Sequence, residues 1–260
     1  MDFEIIDFHT HPFKTVENSI CMYPQYCASN PAEMKKEMNS FGISKMCGAV
    51  IKPFDKNNFD WESTKKLNDI GLEIREELGD FFIPGFLVHP KYVKESLEEI
   101  ERMHKAGVKI IGELVPYFHG WSGYDSKELS EILDVAEQYG MILNLHTMYD
   151  DSLDKMVQAH PNLVIVAAHP NDQAMFERHI ARMKMSENYC LDISATGLFR
   201  QGQMRYIIDQ VGVDRLLFGT DYPTCAPDLF LGNILLNRTI TDTEREYILS
   251  KNAKRLLGLK

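Results

Sequence analysis

The feature that most restricts how this chain can fold is an alternation carried through all 260 residues. Short apolar runs rich in branched side chains take turns with longer amphipathic stretches. The runs fall at residues 4–8, 45–51, 82–88, 109–114, 141–146, 163–168, 189–194 and 216–220. Each has the length of a buried strand, and several are apolar throughout, as strands are when helices cover a sheet. The stretches between them carry a helical period. In 91–105, Val93, Leu97, Ile100 and His104 mark one face, while Glu95, Glu98, Glu99 and Arg102 fall largely on the other. Gly107 and Gly140 read as helix stops, and Thr241 with Glu244 reads as a capping box. A long helix is expected over 60–78, with extended loops at 12–30 and 117–126.

Such an alternation closes into a (β/α)8 TIM barrel or opens into a doubly wound sheet. The length favours the barrel. No proline- or glycine-rich linker interrupts the pattern, so a single domain over 1–260 is expected. Hydrophobic residues at 44% and charged ones at 25% exclude a disordered chain. Thirty-eight acidic residues against 28 basic ones give a net charge of −10, which argues against nucleic acid as a partner. No run approaches the roughly 18–20 apolar residues of a membrane span. The start lacks the pattern of a signal peptide. The cysteines, at 21, 27, 47, 190 and 225, form no Cys-x-x-Cys pair. Neither a disulfide scaffold nor a thiolate zinc site is indicated, and a cytoplasmic location is expected.

Six residues lie at or just past the C-terminal ends of predicted strands: His9, His11, Glu113, His146, His169 and Asp221. In a barrel enzyme that end carries the active site. His9 and His11 are two apart in an extended segment, so their side chains share a side. Each residue alone has a commonplace explanation, such as a satisfied core histidine or a turn-capping aspartate. Together they pose a problem, because unpartnered carboxylates and imidazoles at one buried mouth are costly. A divalent metal resolves it. Imidazole nitrogen and carboxylate oxygen suit Zn²⁺ best, with Mn²⁺, Fe²⁺ or Ni²⁺ also compatible.

The segment from Asp7 to Pro12, the strand-ending His146, the pair His169-Pro170 and the segment from Phe218 to Pro223 together resemble the amidohydrolase superfamily. The likeness is to the amidohydrolase-2 group, which includes aminocarboxymuconate-semialdehyde decarboxylase and related acid decarboxylases. The resemblance implies a (β/α)8 barrel whose metal is held by His9, His11, His146 and Asp221. It implies that His169 is either an acid/base group or a ligand to a second metal. Glu113 stands where many superfamily members carry a carboxylated lysine, and a glutamate bridge there is similar to that of TatD-type hydrolases. One ion or two are therefore open.

The activity expected from these residues is metal-dependent hydrolysis of a small molecule at an amide, lactone or ester. Metal-activated water would attack, with Asp221 as base and His169 stabilising charge. The alternatives are a non-oxidative decarboxylase of the same group, with His169 or metal-bound water protonating carbon, and a TatD-like phosphodiesterase or nuclease. Lys52, His89, Tyr117, His119, Arg200 and Tyr222 follow strands and are candidates for substrate contacts, with Trp121 beside them. The loop 12–30, carrying Cys21, Met22, Tyr23, Tyr26 and Cys27, is a candidate lid. Outward-facing aromatics, such as those expected in 247–257, leave room for a homodimer.

Overall fold

A computed structural model describes residues 3–53, 60–198 and 200–260. Eight parallel strands follow one another in a single sheet in sequence order. They are β1 (Ile5–Asp7), β2 (Ile43–Gly48), β3 (Phe82–Phe86), β4 (Ile110–Leu114), β5 (Ile142–His146), β6 (Val164–Ala168), β7 (Tyr189–Asp192) and β8 (Leu216–Leu217). The sheet curls shut between its first and last strands. Phe8 N–H donates to Phe218 O at 2.9 Å, Asp221 N–H to His9 O at 2.9 Å, and His11 N–H to Tyr222 O at 2.7 Å. This is the expected TIM barrel.

Helices α1 (Pro31–Ser40), α2 (Trp61–Leu78) and α3 (Val93–Lys105) cover the first half of the barrel. A short α4 (Pro116–His119) and α5 (Lys127–Gln138) follow β4, then α6 (Asp150–Ala159), α7 (Gln173–Met185) and α8 (Gln203–Val211). The chain ends with α9 (Pro227–Leu235), α10 (Asp242–Glu246), a π-helical turn and α11 (Asn252–Leu257). Local chemistry sets these boundaries. Asp60 caps α2 through Ser63 N, and the Thr241–Glu244 capping box opens α10 as expected. Among the described residues no helix is long and apolar enough to cross a membrane.

The main core lies between strands and helices. A second cluster takes side chains from nearly every strand, among them Ile6, Phe8, Cys47, Ile110, Ile142, Val166, Cys190 and Leu217. Its membership from all round the sheet marks it as the filling of the barrel. Ala253 and Leu257 join it from the C-terminal helix.

Two expectations need correction. The buried face of α3 is Ser96, Glu99, Ile100 and Met103, not one that includes His104. Glu99 turns inward because Asn68 Nδ2 donates to it at 2.8 Å and Arg102 grips it with two nitrogens at 2.6 and 2.7 Å. In 247–257 the one aromatic, Tyr247, is half-buried rather than offered outward, and Ile248, Leu249, Ala253 and Leu257 beside it are buried. No disulfide scaffold is expected, and Cys21 and Cys27 lie near each other in the loop after β1, which also holds two 3-10 turns.

Candidate metal centre

His9 and His11 leave β1 on the same side, as alternation requires, with Thr10 between them tied to Cys47 O through both N–H and hydroxyl. Each ring is held at Nδ1. His9 Nδ1 meets Asp192 Oδ2 at 2.8 Å, and His11 Nδ1 meets Ala49 O at 3.3 Å. Both Nε2 atoms are thereby turned to one point, 3.2 Å apart. Gly219 makes this possible, since a Cβ there would stand 2.8 Å from the Cβ of His9.

Glu113 enters from β4 where the register with β5 slips between Ile111 and Leu114. Such an irregularity re-aims a side chain. Gly112 is required beside it, because its φ is +102° and a Cβ would lie 2.0 Å from Asn144 O. The two carboxylate oxygens face different partners. Oε2 lies 3.5 Å from His9 Nε2 and 3.3 Å from His11 Nε2. Oε1 lies 3.1 Å from His146 Nδ1 and 3.5 Å from His169 Nε2. Asp221 Oδ1 completes the first set, 3.2 Å from His11 Nε2 and 3.8 Å from His9 Nε2. All six predicted residues therefore meet at one mouth. His146 and Asp221 reach solvent, their side chains 23% and 11% exposed, while the others are buried.

These residues fit a divalent cation on two grounds. Donor atoms about 2.0–2.2 Å from one ion stand roughly 3–3.6 Å from each other, and the contacts among His9, His11, Glu113 and Asp221 centre on that range. The second ground is charge. Burial alone would lower His9, but the charges of Asp192 and Glu113 raise it well above the usual histidine range. His11 is pushed up to about 9, because hydrogen bonds to Asp221 and Glu113 outweigh burial. Burial would raise Glu113, yet the His9 charge and hydrogen bonds from His11, His146 and His169 hold it well below the carboxylate range. The cluster calls for positive charge at the ring nitrogens, which a metal ion supplies without protons.

Residues not singled out in the sequence surround it. Asp7 is buried and accepts from His9 N–H and from the N–H and hydroxyl of Thr220. Burial raises its carboxyl to about 7 against those hydrogen bonds. Asp192 and Ser194 back the histidines from β7. Both lie inside a run read as strand rather than past its end, so position did not mark them. A carboxylate in an otherwise apolar strand was the available signal.

The candidate substrate contacts are placed more widely. Tyr117 stacks edge-on against His146, ring centroids 5.3 Å apart. His89 and His119 are buried, and His89 Nε2 meets His119 O at 2.9 Å, linking the loops after β3 and β4. Trp121 lies edge-on to His89. Tyr222 is buried with its hydroxyl donating to Glu37 on α1 at 2.7 Å. Lys52 donates to Glu17 O at 2.9 Å, tying down the 12–30 loop, and Arg200 is exposed.

A family profile described as amidohydrolase matches residues 6–259. The chain belongs to the amidohydrolase family. No protein of curated function matches this amidohydrolase in sequence. Its fold is similar to that of several solved structures. A 2,6-dihydroxybenzoate decarboxylase from Rhizobium is 18% identical, covers 98% of this chain and 99% of its own, and has a TM-score of 0.76. A dihydroxybenzoic acid decarboxylase from Polaromonas, with bound manganese and 2-nitroresorcinol, is 17% identical over 98% and 97%, at 0.73. The 5-carboxyvanillate decarboxylase from Sphingomonas paucimobilis is 14% identical over 99% and 100%, at 0.66. The expected hydrolase finds no support among these neighbours, whose own activities are of the kind the decarboxylase alternative names. Family membership places the chain among enzymes, and a divalent metal suits both its donor set and the Polaromonas neighbour's manganese. Zinc in particular has no such support.

Proposed function

We propose that this amidohydrolase is a metal-dependent, non-oxidative decarboxylase of a small hydroxylated aromatic acid. The observation that carries the reading is the position of His169. Its Nδ1 is held by Ser194 Oγ at 2.9 Å, so Nε2 faces the mouth beside Glu113, across from the set of His9, His11 and Asp221. An acid therefore stands opposite a cation site. The chemical class of substrate comes from the neighbours' dihydroxybenzoates and carboxyvanillate.

His9, His11, Glu113 and Asp221 would hold the ion. Such an ion would supply positive charge that steadies charge developing on the substrate's oxygens. His169 delivers its Nε2 proton to the carbon bearing the carboxylate. The carbon–carboxylate bond then breaks and carbon dioxide leaves. The balance is one substrate carboxylate and one proton giving one arene and one carbon dioxide. His169 regains its proton from solvent through the open side at His146. The largely buried walls withhold water from the substrate carboxylate, which water would otherwise stabilise.

The test is turnover of 2,6-dihydroxybenzoate and 5-carboxyvanillate by the Mn²⁺-loaded protein in deuterium oxide. We expect carbon dioxide and one deuterium at the vacated carbon. His169→Gln should lower kcat at least 10²-fold with Mn²⁺ content unchanged. Product formed by addition of water without carbon dioxide would overturn the reading. The split of Glu113 between two histidine pairs favours one variation, in which Glu113 Oε1, His146 and His169 hold a second ion. Elemental analysis decides it. Two equivalents per chain, falling to one in Glu113→Gln, would make His169 a ligand rather than the acid.

A further inference from the structure

We propose that Asp192 is a positioning residue that fixes the proton on Nδ1 of both His9 and His169, and so sets which nitrogen each ring presents to the site. The inference rests on the cluster being a metal centre, and is independent of the reaction it performs.

Asp192 ends β7 in the floor of the mouth and is fully buried. Among the described residues, its backbone, amide and hydroxyl neighbours are all donors. Oδ2 faces His9 Nδ1 at 2.8 Å and accepts from Asn144 Nδ2 at 3.3 Å. Oδ1 accepts from Ser194 N–H at 3.1 Å, from His169 N–H at 3.4 Å and from the Ser194 hydroxyl. A carboxylate with this surround is an acceptor only. His9 must then carry its proton on Nδ1, which leaves the Nε2 lone pair for the cation site.

The second ring follows by counting protons. The Ser194 hydroxyl owns one hydrogen and gives it to Asp192. Toward His169 Nδ1, at 2.9 Å, its oxygen can only accept. His169 therefore also carries a proton on Nδ1, and the proton that can move is the one on Nε2, at the mouth. One carboxylate thus orders two rings whose centroids are 5.0 Å apart, His9 directly and His169 through one hydroxyl. The grouping of Asp192 with His9 and His169 is a hydrogen-bonded relay and not a further ion site, since Asp192 already meets the His9 nitrogen that faces away from His11.

An asparagine at 192 would keep the shape and can present its N–H₂ to His9 Nδ1, forcing the proton to Nε2. The measurement is Mn²⁺ titration calorimetry together with histidine ¹⁵N spectra of the Zn²⁺-loaded full chain, for wild type, Asp192→Asn and Ser194→Ala. Wild type should show Nδ1-bound protons at both rings. Asp192→Asn should lose the His9 signal, keep that of His169, because the amide oxygen still accepts from Ser194, and bind Mn²⁺ roughly 10–100-fold more weakly. Ser194→Ala should lose only the His169 signal and bind Mn²⁺ within about threefold of wild type. A protonated Nδ1 on both rings in Asp192→Asn, or an unchanged His169 signal in Ser194→Ala, overturns the proposal. Ser194→Ala alone decides it should Asp192→Asn not fold. If wild type takes up neither ion, the metal reading fails, and the same ring signals in the ion-free chain still test Asp192.

Discussion

At the scale of single residues, the same side chain is driven in opposite directions by its surroundings. His9 and His11 are raised by buried carboxylates, while His179 on α7 is pushed down to about 3 by burial and by the nearby charge of Arg182. His179 is fully buried, its Nδ1 meeting the Tyr189 hydroxyl at 2.9 Å. Its folded value lies below the unfolded value of about 6.5, so the unfolded chain takes up a proton first as pH falls. Stability from this group is complete above pH 6.5 and is lost on acidification toward 3. The loss should reach about 2 kcal/mol at pH 5. Urea unfolding of His179→Gln between pH 7 and 5 should show a shallower decline by that amount, and parallel curves would refute the assignment. The sequence could mark His9, His11, His146, His169, Glu113 and Asp221 because each stands where an apolar run stops. Strand-end position did not mark Asp192, whose role depends on a hydroxyl two residues on and a histidine 183 positions away.

At the scale of elements, the apolar runs overshoot the strands at their C-terminal ends. The run 216–220 contains a ladder of only Leu216–Leu217, and the run 82–88 stops at Phe86. Hydropathy cannot see where pairing ends, because the residues just past a ladder stay buried around the mouth. Their backbone groups find other partners. Phe218 N–H donates to Ile248 O at 2.9 Å, and Leu87, just past β3, is met by a side chain. Asn68 on α2 accepts from Leu87 N–H at 2.7 Å and donates to Leu87 O at 3.0 Å. It stands in for a neighbouring strand. Asn68→Ala should leave both backbone groups and part of Glu99 without partners, costing about 2–4 kcal/mol in chemical denaturation. A change below about 0.5 kcal/mol would show that the loop after β3 needs no such clamp.

At the scale of the whole molecule, the barrel is polarised. The C-terminal helix seals the interior from one side with Ala253 and Leu257, and the mouth gathers the buried carboxylates Asp7, Glu113, Asp192 and Asp221. Backbone strain is distributed the same way. The described non-glycine residues with positive φ are Tyr149, His169, Asn171, Ala195 and Asp221, all beyond the C-terminal ends of β5 to β8. A left-handed conformation costs a side-chain-bearing residue roughly 1–2 kcal/mol, while glycine adopts it freely at some cost in chain entropy. Ala195→Gly, which removes only a methyl group, should raise the unfolding free energy by up to about 1 kcal/mol. A destabilised variant would mean that the methyl group's packing outweighs the backbone. The chirality of the chain thus sets foldability and chemistry at odds around this rim. In a lineage released from the need for catalysis, glycine would be favoured at Tyr149, His169 and Ala195, since asparagine and aspartate tolerate this conformation better. Retention of these three side chains in a descendant gene is therefore a readable trace that its reaction is still under selection.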